Sequence, residues 1–199
     1  MSSQLTNESP RRRLNARQRS TVERLLTAGQ EELREVGHEA LTIRTVALRA
    51  GVSPATAYTY LASKHHLFAE LFLRHIAQDH DAPVEGDTVT ERVQSVSQGV
   101  VSRIVTEPEL AAAVTPALLG SDEDVDRLRL RIGGEFVSRF EAALRVPGKP
   151  DEPVDAAVLE VLILTFSGAL LQAGMGTMSY DEMADRLESA FAVILRGNV

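Results

Sequence analysis

Apolar residues recur three and four positions apart along most of the chain, the period of helices with one buried face. Behind Thr42, a residue type that caps helix starts, Ile43, Val46, Ala47 and Ala50 fall on one stripe. Gly51 stands where that helix must stop, and Val52 plugs the angle that follows. Ser53 and Pro54 then restart the helix, the hydroxyl capping free amides and the ring occupying a first-turn position whose N–H needs no partner. On this second helix Ala57 and Tyr60 face inward, leaving Ala55, Thr56, Tyr58 and Thr59 outside. That outer face is small, hydroxyl-rich and uncharged, which suits contact with phosphates and base edges. A plain helical hairpin with a solvated face satisfies the same spacing.

The pattern predicts a preceding helix over residues 15–36, with Val22, Leu25, Leu26, Leu33 and Val36 inward, Glu31, Glu32 and Glu35 outward, and Gly37 as terminator. A helix over 63–80 begins at Ser63 and carries Leu67, Phe68, Leu71, Phe72 and Ile76; Pro83 and Gly86 mark the break that follows. Helices are expected over 88–106, with Val89, Val93, Val96, Val100 and Ile104 inward, over 108–119, and from Asp122 to about residue 146. Gly133 and Gly134 interrupt the last of these, as a bend or as a close backbone approach. Residues 147–153 read as a loop. Residues 154–173 are apolar in nearly every direction, and Tyr180, Met183, Leu187, Ala190, Phe191 and Ile194 stripe a final helix. A helix apolar all round must be covered all round. Either the chain covers it internally or, as expected here, the last two helices pair with their copies as the four-helix bundle of a two-fold homodimer.

Composition narrows the classes. The 199 residues, 44% hydrophobic and 25% charged, are those of a soluble globular protein. The absence of cysteine excludes disulfides, thiolate nucleophiles and cysteine zinc sites. The amino terminus lacks the apolar core of a signal peptide, and the apolar run 158–166 is too short to span a membrane, so a cytoplasmic protein is expected. The net charge of −7 is unevenly spread. Residues 1–75 hold 11 Lys and Arg against 7 Asp and Glu, a balance of +4, while residues 76–199 hold 10 against 21, a balance of −11. One cationic end is what a chain meeting a polyanion needs, although acidic surface also serves solubility. Arg11, Arg12, Arg13, Arg17 and Arg19 form a basic arm that either follows nucleic acid or is a solvated tail.

No nucleophile elbow, phosphate loop or His-Glu-x-x-His occurs, and Gly174-x-Gly176 lacks a third glycine and a preceding strand. His75 and Asp79 share a helical face and His65 adjoins His66, but neither pair has a third ligand at fixed spacing, so solvated or capping roles are expected. No enzymatic activity, metal or cofactor is expected.

Residues from about 22 to 71 resemble the N-terminal domain of TetR-family transcriptional regulators. The resemblance rests on Gly37, Thr42 with Val46-Ala47, Ala50-Gly51-Val52-Ser53, Tyr58-Thr59-Tyr60-Leu61, and Ser63-Lys64 with Leu67. Ala57, where the family more often has a larger aliphatic, and Leu61, where Phe is commoner, are apolar departures that bear on packing only. The resemblance implies an all-α fold in which residues 1–14 are a disordered basic arm, 15–62 a helix-turn-helix DNA-binding domain and 63–199 an effector-binding and dimerisation domain.

It further implies a homodimeric repressor released from palindromic operator DNA by a small molecule; the alternative is a constitutive regulator or activator without an effector. The positions matching the family's DNA contacts are Thr42, Arg44, Ser53, Ala55, Thr56, Tyr58, Thr59, Tyr60 and Lys64. Of these, Tyr58, Tyr60 and Lys64 are implied to bind phosphate, Tyr60 being equally readable as core. Arg44 is the residue near the motif able to bond a guanine bidentately, or else a phosphate. For an effector cavity, Phe72, Phe136, Phe140, Phe166 and Met175 are candidate walls, with His75, Arg103, Thr165 and Gln172 as polar anchors, a mix that suggests a lipophilic ligand. For the dimer the candidates are Leu159, Leu162, Phe166, Leu170, Met183, Leu187, Phe191 and Ile194. Effector binding is expected to tilt the helix over 63–80, so that two reading heads lose a spacing of roughly 34 to 36 Å.

Overall fold

The structure, a computed structural model, describes residues 15–78, 82–146, 148 and 152–197. The arm at 1–14, Asp79, His80 and most of the loop at 147–153 lie outside them. Side-chain caps start nearly every helix. Asn15, Thr42, Thr88 and Ser179 form reciprocal capping boxes, and Ser53, Ser63, Asp122 and Asp155 accept from amides of the first turn. The helices are α1 (Ala16–Ala40), α2 (Ile43–Arg49), α3 (Pro54–Tyr60), α4 (Lys64–Ala77), α5 (Val89–Val105), α6 (Pro108–Leu119), α7 (Glu123–Leu144), α8 (Ala156–Gly174) and α9 (Tyr180–Leu195); the described residues contain no strand.

The amino-terminal core gathers Leu25 and Leu33 of α1, Ile43, Val46 and Ala47 of α2, Ala57 of α3, and Leu61 and Leu67, all of them buried. α4 runs from this core into the second one, where Phe72 and Ile76 lie inside and α6 and α7 pack on its sides. In that second core Phe136 and Phe140 of α7 meet Phe166 of α8 at 5.1 and 5.3 Å between ring centroids, and Phe140 meets Phe191 of α9 edge-on at 5.6 Å.

Several expectations change. Gly37, with φ of 76°, breaks α1 where a terminator was expected, but one more helical turn follows before Leu41. Val36 is 41% exposed and not on the inner stripe. Glu32 points inward: Arg49 on α2 reaches it at 2.7 Å and also holds Glu35, so the buried carboxylate has its counter-charge. Gly133 and Gly134 sit within an unbroken α7. The expectation that no run approaches a membrane span fails for α8, whose 19 residues are long and apolar enough by length and composition alone. α8 nonetheless packs on α6, α7 and α9.

Polar ties join the two cores. Glu107, the N-cap position of α6, makes no cap bond with its side chain. Its carboxylate turns to α1, accepting from Gln30 Nε2 at 3.2 Å and Arg34 Nε at 3.1 Å. Two residues on, Glu109 accepts from the His38 amide at 3.1 Å, with His38 Nδ1 at 2.9 Å. At the other end of α6, the Ser63 hydroxyl that caps α4 donates to Asp122, the cap of α7, at 2.5 Å. Thus α6 and the turn after it are fastened to the amino-terminal helices at both ends.

This packing makes two testable demands, the first of them steric. A Cβ on Gly174 would lie 2.9 Å from the Thr115 Cβ and closer still to its hydroxyl, so α8 crosses α6 only because that position is bare. Gly174→Ala is expected to destabilise by about 1 to 3 kcal/mol, lowering Tm by roughly 2 to 4 °C per kcal/mol in a chain of this size; an unchanged melting curve contradicts the crossing. The second concerns acid. Arg34 holds the Glu107 carboxyl below its ordinary value, and His38 does the same for Glu109. A depressed carboxylate stabilises the fold above its unfolded value, about 4.5, and the contribution is lost as pH falls through the folded value. Glu107→Gln should therefore cost about 1 kcal/mol in urea unfolding at neutral pH, the Arg34 end being solvent-exposed, and the gap to wild type should close below about pH 4.5. Parallel curves at every pH would remove the ties from the energetics.

Candidate nucleic-acid interface

The reading surface is assembled by local chain chemistry. Thr42 Oγ1 accepts the Thr45 amide at 3.1 Å while Thr45 Oγ1 accepts the Thr42 amide at 3.2 Å, which fixes the start of α2. Gly51, at φ of 65°, turns the chain so that the Val52 amide bonds Ala47 O at 3.0 Å. Ser53 Oγ then accepts the Thr56 amide at 3.1 Å and restarts the helix as α3. Ala57 is fully buried beneath α3 and Leu61 nearly so, so the helix has one possible orientation.

The expected contact positions fall on one side. Thr42 and Arg44 on α2, and Ser53, Ala55, Tyr58 and Thr59 on α3, are exposed; Thr56 and Tyr60 are half-buried, and Tyr60 packs against the core. Thr59 Oγ1 donates to Ala55 O at 3.0 Å, and Ser53 Oγ lies 2.8 Å from Thr56 Oγ1. Tyr58 is 51% exposed. Arg44 enters no ion pair among the described residues, whereas Arg49 on the same helix is committed to Glu32 and Glu35, whose hydrogen bonds raise its pKa.

Lys64 departs from expectation. Its Nζ donates to His38 O at 3.1 Å and Glu39 O at 3.2 Å and stands 6.0 Å from the Phe68 ring centroid. Gly37 bends the end of α1 so that its last carbonyls face α4, and the ammonium satisfies them. The cation implied to bind phosphate is a clasp between α1 and α4. His66 Nδ1 accepts the Ala62 amide at 3.2 Å, and no metal-ligand cluster occurs among the described residues.

Behind this surface lies an apolar cavity of about 290 Å³ walled by α4 to α9. Of the nine residues expected to line it, only Phe72 and Phe136 do. His75 is buried with Nε2 2.7 Å from Arg103 O, and Arg103 reaches Gln78 at 3.4 Å. Phe140 and Phe166 are sealed in the aromatic seam. Thr165 and Gln172 line a shallow groove between α8 and α9, and Met175 is exposed. Each lies on a helix that contributes to the wall or adjoins it, but faces another way. Twelve wall residues were not expected there, among them Thr115, Arg129, Gly133, Ser167 and Tyr180; of these five, Gly133 carried a signal as an interruption of its helix pattern and Tyr180 as the start of the final stripe.

The residues expected at the dimer seam divide by burial. Leu162, Phe166, Met183, Leu187 and Phe191 are fully buried within the protomer, and Leu159, Leu170 and Ile194 are half-buried against its core. The unpartnered side of these helices is instead Val161, Leu164 and Val193, the last two 65% and 66% exposed, with the small Gly168 and Ala190 between them. A helix apolar all round hides which stripe its own chain uses.

Comparison with known proteins agrees with this architecture. The family model described as "Bacterial regulatory proteins, tetR family" matches residues 25–71. The HTH-type transcriptional regulator Rv0767c of Mycobacterium tuberculosis is 41% identical over 185 residues, covering 92% of this chain and 84% of that protein. The HTH-type transcriptional repressor KstR of Rhodococcus jostii is 26% identical over 184 residues, covering 89% and 84%. Among solved structures, a TetR regulator from Rhodococcus sp. RHA1 superposes with a TM-score of 0.67 at 20% identity, over 89% of this chain and 98% of that one. The regulator FadR from Bacillus subtilis, in complex with stearoyl-CoA, superposes with a TM-score of 0.59 at 18% identity, over 88% and 98%. With the helix-turn-helix surface, the all-helical body and a relative alike over nearly the whole chain, this protein belongs to the TetR family of bacterial transcriptional regulators.

Proposed function

We propose that the protein is a homodimeric repressor that leaves a palindromic operator when a lipophilic small molecule enters its cavity. The observation that carries this reading is that α6, a wall of the cavity through Val114, Thr115 and Leu118, is tied at its start to α1, and the turn after it to the Ser63 cap of α4, the two helices that flank α2 and α3. A ligand that displaces α6 must strain Glu107 against Arg34 and Asp122 against Ser63. The ligand then favours whichever placement of the reading heads relieves that strain.

At the DNA, Thr42, Ser53, Ala55, Thr56 and Thr59 let the backbone approach closely, Tyr58 meets phosphate, and Arg44 bonds a guanine or a phosphate. Tyr60 and Lys64 serve mainly to hold α3 and α4 in place. The dimer forms through the outward stripe of α8 and α9, whose apolar side chains and small residues fit helix-on-helix packing. The FadR complex with stearoyl-CoA supports an effector bearing an acyl chain, as does an almost wholly apolar cavity wall.

Three outcomes are expected of the full chain and an operator recovered by in vitro selection. Tyr58→Ala weakens operator binding by roughly tenfold in fluorescence anisotropy, and unchanged binding means that the wrong face has been assigned. Leu164→Glu, which would bury a charge in the dimer seam, yields monomers in light scattering, while Leu130→Glu, at an equally exposed leucine of α7, stays dimeric. Stearoyl-CoA releases wild-type protein from the operator; retention of the complex at saturating stearoyl-CoA rejects the acyl effector.

A further inference from the structure

α7 carries two adjacent glycines in its interior, where each weakens a helix relative to alanine. Two other helical glycines are explained by a neighbour. A Cβ on Gly174 would strike Thr115, and one on Gly29 would come within 2.9 Å of a Leu67 methyl. Gly133 and Gly134 have no such neighbour: nothing lies within 4 Å of where their Cβ atoms would stand. The same holds for Gly99 on α5 and Gly168 on α8, but of these four open glycines Gly133 alone forms part of the apolar cavity wall. Gly134 is exposed on the outer side of α7, whereas Gly133 is half-buried. The space beside Gly133 is therefore left open toward the cavity.

Resting on the reading of that cavity as an effector site, we infer that Gly133 is its specificity-determining residue. The bare α7 backbone there is the slot against which an acyl chain lies. The surroundings fit that occupant. Leu118, Ile132, Leu170 and Leu171 offer only hydrocarbon, and the helix interior satisfies its own backbone amides, so the polar groups of the wall are confined to the side chains of Thr115, Arg129, Ser167 and Tyr180. Among the described residues Arg129 is the one charged side chain on the wall, and it is committed to Leu118 O at 2.7 Å, Gly120 O at 2.8 Å and the Asp126 carboxylate at 2.6 Å, so the wall beside Gly133 offers a hydrocarbon chain no free charge. A methyl group at position 133 would fill the slot without touching the protein.

Stability and binding should consequently move in opposite directions. In the full chain, Gly133→Ala and Gly134→Ala are each expected to raise Tm slightly, since both improve helix propensity at positions with room for a Cβ. Isothermal titration with saturated acyl-CoAs from octanoyl to stearoyl should find Gly134→Ala like wild type. Gly133→Ala should bind the longer chains roughly tenfold more weakly or worse, with its preference shifted to shorter ones. Wild-type binding that Gly133→Ala leaves intact, or that Gly134→Ala weakens equally, overturns the inference while the effector reading stands. A lower Tm for Gly133→Ala shows that the glycine answers to packing inside the chain and overturns it as well. A wild-type chain that binds no member of the series removes both the acyl effector and the slot.

Discussion

A seven-residue helix cannot hold itself together in water, and α3 has seven residues. Everything that lets this chain read DNA depends on imposing on α3 an order it lacks alone. Ser53 supplies the start, Pro54 fixes the first turn, and Ala57 and Leu61 bury the under-face, with α2 packed against the helix. Ala57 is small enough for the helices to cross closely, so the outward residues are presented from a base that has no alternative packing.

The same shortage explains why the amino-terminal helices do not form an isolated module. Leu67 closes their core, yet α4 continues until Phe72 and Ile76 are inside the other one. One rigid rod thus belongs to both cores, and Lys64, Glu107, Glu109 and Asp122 add directional bonds around it. Hydrophobic contact alone would allow α4 and α6 to slide over each other at little cost. Charged hydrogen bonds between defined atoms give the junction discrete positions, a requirement for any switch.

What the sequence made legible was whatever is decided within one or two turns of chain. Thr42, Ser53 and Ser63 act as caps where spacing put them, and Gly37 and Gly51 take the left-handed conformations that their places demanded. What stayed hidden depends on partners far along the chain. Glu32 looked solvated because its cation, Arg49, lies on another helix; Lys64 looked like a phosphate ligand because the carbonyls it clasps are those of His38 and Glu39. The cavity wall was least legible. Arg129 gave no periodic clue, Tyr180 read only as part of the last helix's stripe, and two of the aromatic residues that drew notice, Phe140 and Phe166, are committed to joining α7, α8 and α9.

The Ser63 hydroxyl accepts the His66 amide at 2.9 Å and donates to Asp122 at 2.5 Å. A hydroxyl whose proton is drawn toward a carboxylate becomes a better acceptor, so the two bonds strengthen each other. Firmness at the root of α4 therefore originates at the start of α7, fifty-nine positions away along the chain. The placement of α7 thereby governs how firmly the joint immediately after α3 is held.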